Sequence, residues 1–397
     1  MNLIPAIRAE GNSNMAHPID TAIVGGGVIG LSIGWRLAQS GRRVAIIERA
    51  ESGKATSWAS GGMLGNDAEI GFEELDVYRL GVASVALWPD FVRELEAATD
   101  IDIGYRTEGT LMVADDADGA VNLRRIYRFQ QEQGVPVEWI SVSRALELEP
   151  MLTPRLTAAV LSESDRQVDP RLMVTALRKA FLGEGGILME QHRVRRIEST
   201  GSVMACIVDS SDPVLSDRVV LAAGPWSSMI EMEGVEAPPV RPVKGQMMEL
   251  RMQPQLEIRH VIRGKGTYLA PKRNGRLLVG STSEEMGFDE TVTAGGLYEL
   301  LEKAWRLIPG IYDMPVTDSW AGLRPASPDH APLIGFADHP NILFATGHHR
   351  HGILLAPVTA AAAADLLLRG KTEMPISVCD PLRFSRPEGA ERVRDFT

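Results

Sequence analysis

Three glycines, Gly25, Gly27 and Gly30, stand on the G-x-G-x-x-G spacing within Thr21-Ala-Ile-Val-Gly-Gly-Gly-Val-Ile-Gly30. The chemistry such a turn supports is the holding of a pyrophosphate. Gly25 permits a tight turn, Gly27 lets backbone approach the phosphates, and Gly30 lets the next helix lie close to the strand. The free N–H groups at the start of that helix then face the anion. An acid, Glu48, closes the next apolar run, where it would accept from a ribose hydroxyl. It disfavours a 2′-phosphate, and so NADP, but leaves FAD and NAD open.

The elements that position these groups follow from patterning. Ile23 and Val24 belong to a buried strand, residues 31–40 to a helix stopped by Gly41, and 44–47 to a second strand. Residues 49–65 are rich in Gly, Ala and Ser. Such backbone can lie against a flat ligand, although an ordinary polar loop has the same composition. Helical periodicity marks 74–98, 118–133 and 142–148, with a strand at 109–114. Asp169 at the cap and Pro170 at the first helical position open a helix reaching about residue 182. Strands at 186–189, 194–197, 203–208 and 218–222 follow. The last ends at Ala223-Gly224, another place where backbone can approach a ligand.

The pattern then turns antiparallel. Residues 245–251 alternate, and Asn274-Gly275 joins 268–271 to 276–281 as a hairpin. A helix over 294–307, a strand over 341–345 and an alanine-rich helix over 357–368, closed by Gly370, complete the chain. This order predicts an α/β fold with a Rossmann-type nucleotide-binding domain over 19–95, 160–235 and 320–397. An antiparallel-sheet α+β substrate domain (96–159 and 236–319) is inserted into it, behind a flexible extension over 1–18.

A chain of 397 residues can bury cores for two such domains. The net charge of −11 disfavours nucleic acid and anionic membrane as partners, so an anionic substrate needs a local cation. No apolar run of about eighteen residues predicts a transmembrane helix. Residues 1–17 lack a secretory pattern, with Met15 a second plausible start, and Cys206 and Cys379 suit a reduced cytoplasmic compartment.

Five further motifs carry a resemblance: Ser60-Gly-Gly-Met-Leu-Gly65, Gln167-Val-Asp-Pro170, Pro242-Val-Lys-Gly-Gln246, Trp320-Ala-Gly-Leu-Arg-Pro325 and Gly347-His-His-Arg-His-Gly-Ile-Leu-Leu-Ala-Pro357. In this order the chain resembles the D-amino acid oxidase superfamily of FAD enzymes, most closely its bacterial glycine oxidase branch, from about 20 to 368. The resemblance implies FAD as cofactor. Val28 and Ile29 would lie over the pyrophosphate, Glu48 and Arg49 at the adenosine ribose, Thr56 and Ser57 near the phosphates, and the Val194 backbone at the adenine. Gly61, Gly62 and Met63 would run along the flavin. His348, His349, Arg350, His351, Gly352, Ile353 and Leu354 would wrap its pyrimidine end, where the N-terminus of the last helix favours negative charge.

By the same resemblance, Arg324 grips a substrate carboxylate through two parallel hydrogen bonds, with Tyr268 beside it and Arg350 as a second arginine. The bland alternatives are a surface salt bridge, a core aromatic and a loop support. The activity implied is oxidative deamination of glycine and other small amines or D-amino acids by hydride transfer from the α-carbon to flavin N5. Its products are a 2-oxo acid (glyoxylate from glycine), ammonia or an amine, and hydrogen peroxide from molecular oxygen. The protein would supply orientation and electrostatics. The alternative on the same fold is a D-amino acid, D-hydroxyproline or cyanide-forming glycine dehydrogenase that passes electrons to a quinone or partner subunit. A homotetramer and a place in thiamine thiazole synthesis are further implications of the family. The chain departs from the family at His349, which replaces an aromatic, at His351, which replaces an amide, and at Ser283, which replaces a methionine. Three histidines crowded on one loop cannot easily converge on a tetrahedral ion, so no metal is expected.

Overall fold

The computed structural model describes residues 19–201, 203–209 and 211–385; the expected N-terminal extension lies outside them. Two large sheets, of nine and eight strands, build the molecule. In the first, the strand Ile19–Val24 pairs in parallel with Val44–Ile47 on one side and Val214–Leu221 on the other. Ile187–Met189 and His339–Thr346 extend this parallel array outward. Parallel neighbours need crossovers, and the helix Val28–Gln39 connects the first two strands, with Pro170–Gly183 and the C-terminal helix Ala356–Arg369 packed against it. They bury Ile23, Trp35, Phe181, Val358 and Leu367 in a common core. An antiparallel meander of Val194–Thr200, Val203–Val208 and Val214–Leu221 contributes to a second core around Val24, Ile197 and Cys206. Burial pushes the Cys206 and Cys379 thiols up to about 12, so neither is a ready nucleophile.

The second sheet runs Val316–Ala326, Arg241–Arg251, Arg276–Gly280, Thr267–Pro271, Val261–Gly264, Thr110–Ala114, Ala158–Ser162 and Glu138–Ile140. Its apolar face, including Leu277 and Val279, packs under Leu300, Ala304 and Leu307 of the helix Ala294–Leu307. The Asn274-Gly275 hairpin is present, with Gly275 at φ +76.

Several boundaries move. The strand Val316–Ala326 crosses the expected domain limit at 320, because Trp320 pairs with Met247 and Arg324 with Val243. The motif around Arg324 therefore belongs to the second sheet. Ala158–Ser162 crosses the limit at 160 in the same way, pairing with Thr110–Ala114. The first helix starts at Val28 rather than 31, since β-branched residues beside glycine understate helix on propensity. Within 49–65 there is a helical turn, Thr56–Ala59, and a short strand, Met63–Leu64, paired with Arg166–Gln167.

A buried ion network joins the sheets. Asp169 caps its helix by accepting from Arg171 N (3.0 Å) and also accepts from Arg276 Nη1 (2.6 Å). Arg276 Nε reaches Glu249 (2.7 Å), and the Arg171 guanidinium lies 3.5 Å over the Trp58 ring. Burial raises the Glu249 pKa, but the bonds from Arg276 and Thr317 outweigh it and hold the carboxyl below its ordinary value. No helix among the described residues is long and apolar enough to cross a membrane.

Candidate active site

A cavity of about 530 Å³ opens between the two sheets. The first sheet and its loops line it with Gly25, Gly27, Val28, Ile29, Glu48, Arg49, Thr56, Ser57, Gly61, Gly62, Met63, Val194 and Gly224. The second sheet adds Tyr268 and Arg324, and the loop over 348–354 adds its seven residues. Gly30 is the exception among the expected lining residues. It is wedged in the turn, where a Cβ would fall 2.0 Å from the Gly25 carbonyl oxygen, so close packing is its role.

Gly27 caps the first helix with no side-chain bond, and the first intrahelical bond runs from Leu31 N to Gly27 O (2.9 Å). The N–H groups before Leu31 thus lie outside the helical ladder, and Val28 N donates to Ser57 Oγ (2.9 Å). Glu48 is fixed beside the turn, accepting from Gly26 N (2.7 Å) and Ala50 N (3.0 Å). Arg49 lies 3.5 Å over the Trp226 ring, and burial lowers its pKa.

The short helix Thr56–Ala59 is pinned to the second sheet by Thr56 Oγ1 to Leu323 O (2.7 Å) and Trp320 Nε1 to Ala59 O (3.0 Å). Lys272 fixes the glycine loop from behind. Its Nζ donates to Gly61 O (2.9 Å), Val168 O (2.8 Å) and Gln167 Oε1 (3.1 Å). Sequence reading missed it, since a lysine beside Arg273-Asn274-Gly275 looks like part of a solvated turn. Burial pulls its pKa down to about 7.

Arg324 is partly buried, and no carboxylate among the described residues forms an ion pair with it. Its guanidinium donates to Lys244 O (3.3 Å) and Ser281 Oγ (2.5 Å). Burial lowers its pKa, as for any desolvated cation. Tyr268 stands by it, its hydroxyl 3.1 Å from Met247 Sδ and tight against Gly61. Burial pushes the phenol up to about 12, so it keeps its proton at neutral pH.

Arg350 departs from its expected role. Its guanidinium is turned to Glu74 through two bonds (one from Nη1 at 3.1 Å) and to Glu69 (3.5 Å). Glu69 also accepts from Arg263, and these arginines hold its carboxyl below its ordinary value although burial alone would raise it. Three guanidiniums (Arg263, Arg324 and Arg350) thus meet two carboxylates, and the unmatched charge sits on Arg324. Glu69, Arg263 and Glu74 carried no local sequence signal, because they become neighbours only on folding.

The histidines stay neutral. Burial pushes His348 down to about 3 and His351 to about 4, and it lowers His349 as well. His348 Nε2 meets Thr359 Oγ1 (3.0 Å), and His349 stacks on His330 (4.4 Å between centroids). Among the described residues no cluster of three or more His, Cys, Asp or Glu side chains is placed to hold a metal ion. His349 Nδ1 and His351 Nε2 are buried without a protein partner. Orphaned ring nitrogens, a bare glycine wall and a free helix start fit a dinucleotide with a polar heteroaromatic head.

Residues 20–366 match the family described as DAO, FAD dependent oxidoreductase. The chain belongs to this family. FAD is therefore its cofactor, and it is an oxidoreductase. The glycine oxidase of Geobacillus kaustophilus is 36% identical over 95% of this chain and 100% of that protein. Its crystal structure superposes with a TM-score of 0.86, covering 93% of this chain and 99% of that one. Glycine oxidase from Bacillus cereus gives 0.82 at 31% identity, over 90% and 96% of the two chains. A bifunctional protein ThiO/ThiG of Synechocystis is 34% identical over 92% of this chain, which spans about half (54%) of that longer protein.

Proposed function

We propose that the protein oxidises glycine and other small amines or small D-amino acids to a 2-oxo acid, ammonia or an amine, and hydrogen peroxide. The observation that carries this reading is Arg324, a partly buried cation that lines the cavity with no ion-pair partner among the described residues. A carboxylate would complete it through two charge-assisted hydrogen bonds that fix both position and orientation. Tyr268, protonated and adjacent, adds a neutral donor. Ser281, Thr282 and Ser283 give the cavity a small polar wall, suited to small substrates.

A bound FAD would supply the redox chemistry, as acceptor of a hydride from the α-carbon and donor of two electrons to oxygen. It would be held by the glycine turn, Glu48, the Gly61–Gly62 backbone and the loop over 348–354. The chain's own groups serve as orienters rather than bases. Tyr268 does not ionise near neutrality, and His351, protonated only near pH 4, is a poor proton acceptor. The substrate amine must therefore arrive neutral. Exclusion of water by the buried lining strengthens the grip of Arg324.

The same reading takes the cytoplasm as the setting, supported by two buried, unpaired cysteines. It takes a homo-oligomer as the working form, supported by Tyr298, Leu301 and Trp305, exposed on one helix. The ThiO/ThiG similarity supports a biosynthetic rather than a catabolic role. The test is anaerobic flavin bleaching by glycine, sarcosine, D-alanine and D-proline, followed by peroxide measurement in air. Bleaching without peroxide would make the enzyme a dehydrogenase, and no bleaching by any of the four would overturn the substrate class.

A further inference from the structure

We propose that Ser281 is a positioning residue for the substrate, holding the Arg324 guanidinium in place and offering its own hydroxyl hydrogen to the bound carboxylate. The inference rests on the reading of Arg324 as the carboxylate anchor. Ser281 directly follows the strand Arg276–Gly280, while Arg324 lies on Val316–Ala326. The strand Arg241–Arg251 runs between the two. The guanidinium crosses that strand at Gly245, where a Cβ would fall 2.4 Å from both Nη1 and Nη2. Only the missing side chain lets Arg324 Nη2 reach Ser281 Oγ at 2.5 Å.

A guanidinium has donors alone, so Ser281 Oγ is the acceptor and its hydrogen is directed elsewhere. Ser281 also lies near the Tyr268 hydroxyl, where it lowers the phenol's pKa against the larger effect of burial. Ser281, Arg324 and Tyr268 all line the cavity. A carboxylate placed on Arg324 is a stronger acceptor than a neutral phenol, so the serine hydrogen turns to it. Fixing the arginine beforehand also spares the ordering of a long side chain on binding. Nothing else among the described residues bonds the Nη2 end of Arg324.

The experiment compares FAD-loaded wild type with Ser281→Ala, Ser281→Thr and Arg324→Ala. The readouts are the glycine KM and kcat, and the Kd of sodium acetate, a carboxylate without an amine, followed through the flavin spectrum. Ser281→Ala should raise KM and the acetate Kd by about tenfold each, the effect of one hydrogen bond to a charged group, while kcat falls less. Ser281→Thr, which keeps the hydroxyl, should restore most of both. Unchanged KM and Kd in Ser281→Ala, with both raised in Arg324→Ala, would overturn the role of Ser281 alone. Unchanged values in Arg324→Ala would overturn the site reading beneath it. Should Ser281→Ala lose FAD, Ser281→Cys, nearly the same size but a weak donor, decides by the same readouts.

Discussion

Asp169 accepts a hydrogen bond from Arg276 Nη1 at 2.6 Å, and this bond ties a helix N-terminus of the first sheet to a strand of the second. Both side chains are nearly buried, so each neutralises a charge the other could not leave bare. Arg276→Met should lower stability by about 3–5 kcal/mol, the cost of stranding a buried charge. Asp169→Asn should cost less, because asparagine still caps the helix. Thermal melts of the FAD-loaded protein measure both, and equal melting points in the wild type and Arg276→Met would refute the latch.

Gly245 is the gap through which Arg324 reaches the cavity. Gly245→Ala should displace the guanidinium, raising the glycine KM about tenfold or more with FAD still bound. The measurement is steady-state kinetics beside the flavin absorbance ratio. A KM within twofold of wild type would show that Arg324 does not need this path.

Arg324 and Arg350 should behave differently. Arg324→Ala removes two charge-assisted bonds, and kcat/KM for glycine should fall about a hundredfold or more. Arg350 is already satisfied by Glu74 and Glu69, so Arg350→Met should change the glycine KM only a few-fold. Comparable losses in both variants would restore Arg350 as a direct carboxylate ligand.

Acid should weaken the fold through the histidine loop. His351 and His348 take up protons only near pH 4 and 3 when folded, against an ordinary value of 6.5. Between those limits the unfolded chain binds more protons, so stability rises with pH and is lost as pH falls from about 6.5 towards 4. For His351 alone the loss reaches about 3 kcal/mol by pH 4. Melting points of the loaded enzyme from pH 7.5 to 5 should fall, and His351→Gln should flatten the slope. An equal slope in wild type and variant would exclude the histidine.

Much of this architecture was legible before folding was considered. Gly25 and Gly30 are demanded by backbone clashes of 2.4 and 2.0 Å that any Cβ would make. Glu48 follows directly from the strand that carries it. The Asn274-Gly275 turn and the proline-started helix at Asp169 likewise depend on a few adjacent residues. Sterics and periodicity act within a turn or a strand, so a short stretch of sequence expresses them fully.

Charge balance in the cavity does not act over that range. Arg350 lies 276 positions from Glu74, and Arg324 lies 43 from Ser281. Which guanidinium keeps an unmatched charge depends on strand register, on a glycine in the strand between, and on carboxylates delivered by distant loops. Lys272 turned inward for the same reason, because the carbonyls of Gly61 and Val168 reach it only when the two sheets close. Electrostatic partners are chosen by proximity in space, and proximity between distant segments exists only once the chain has packed.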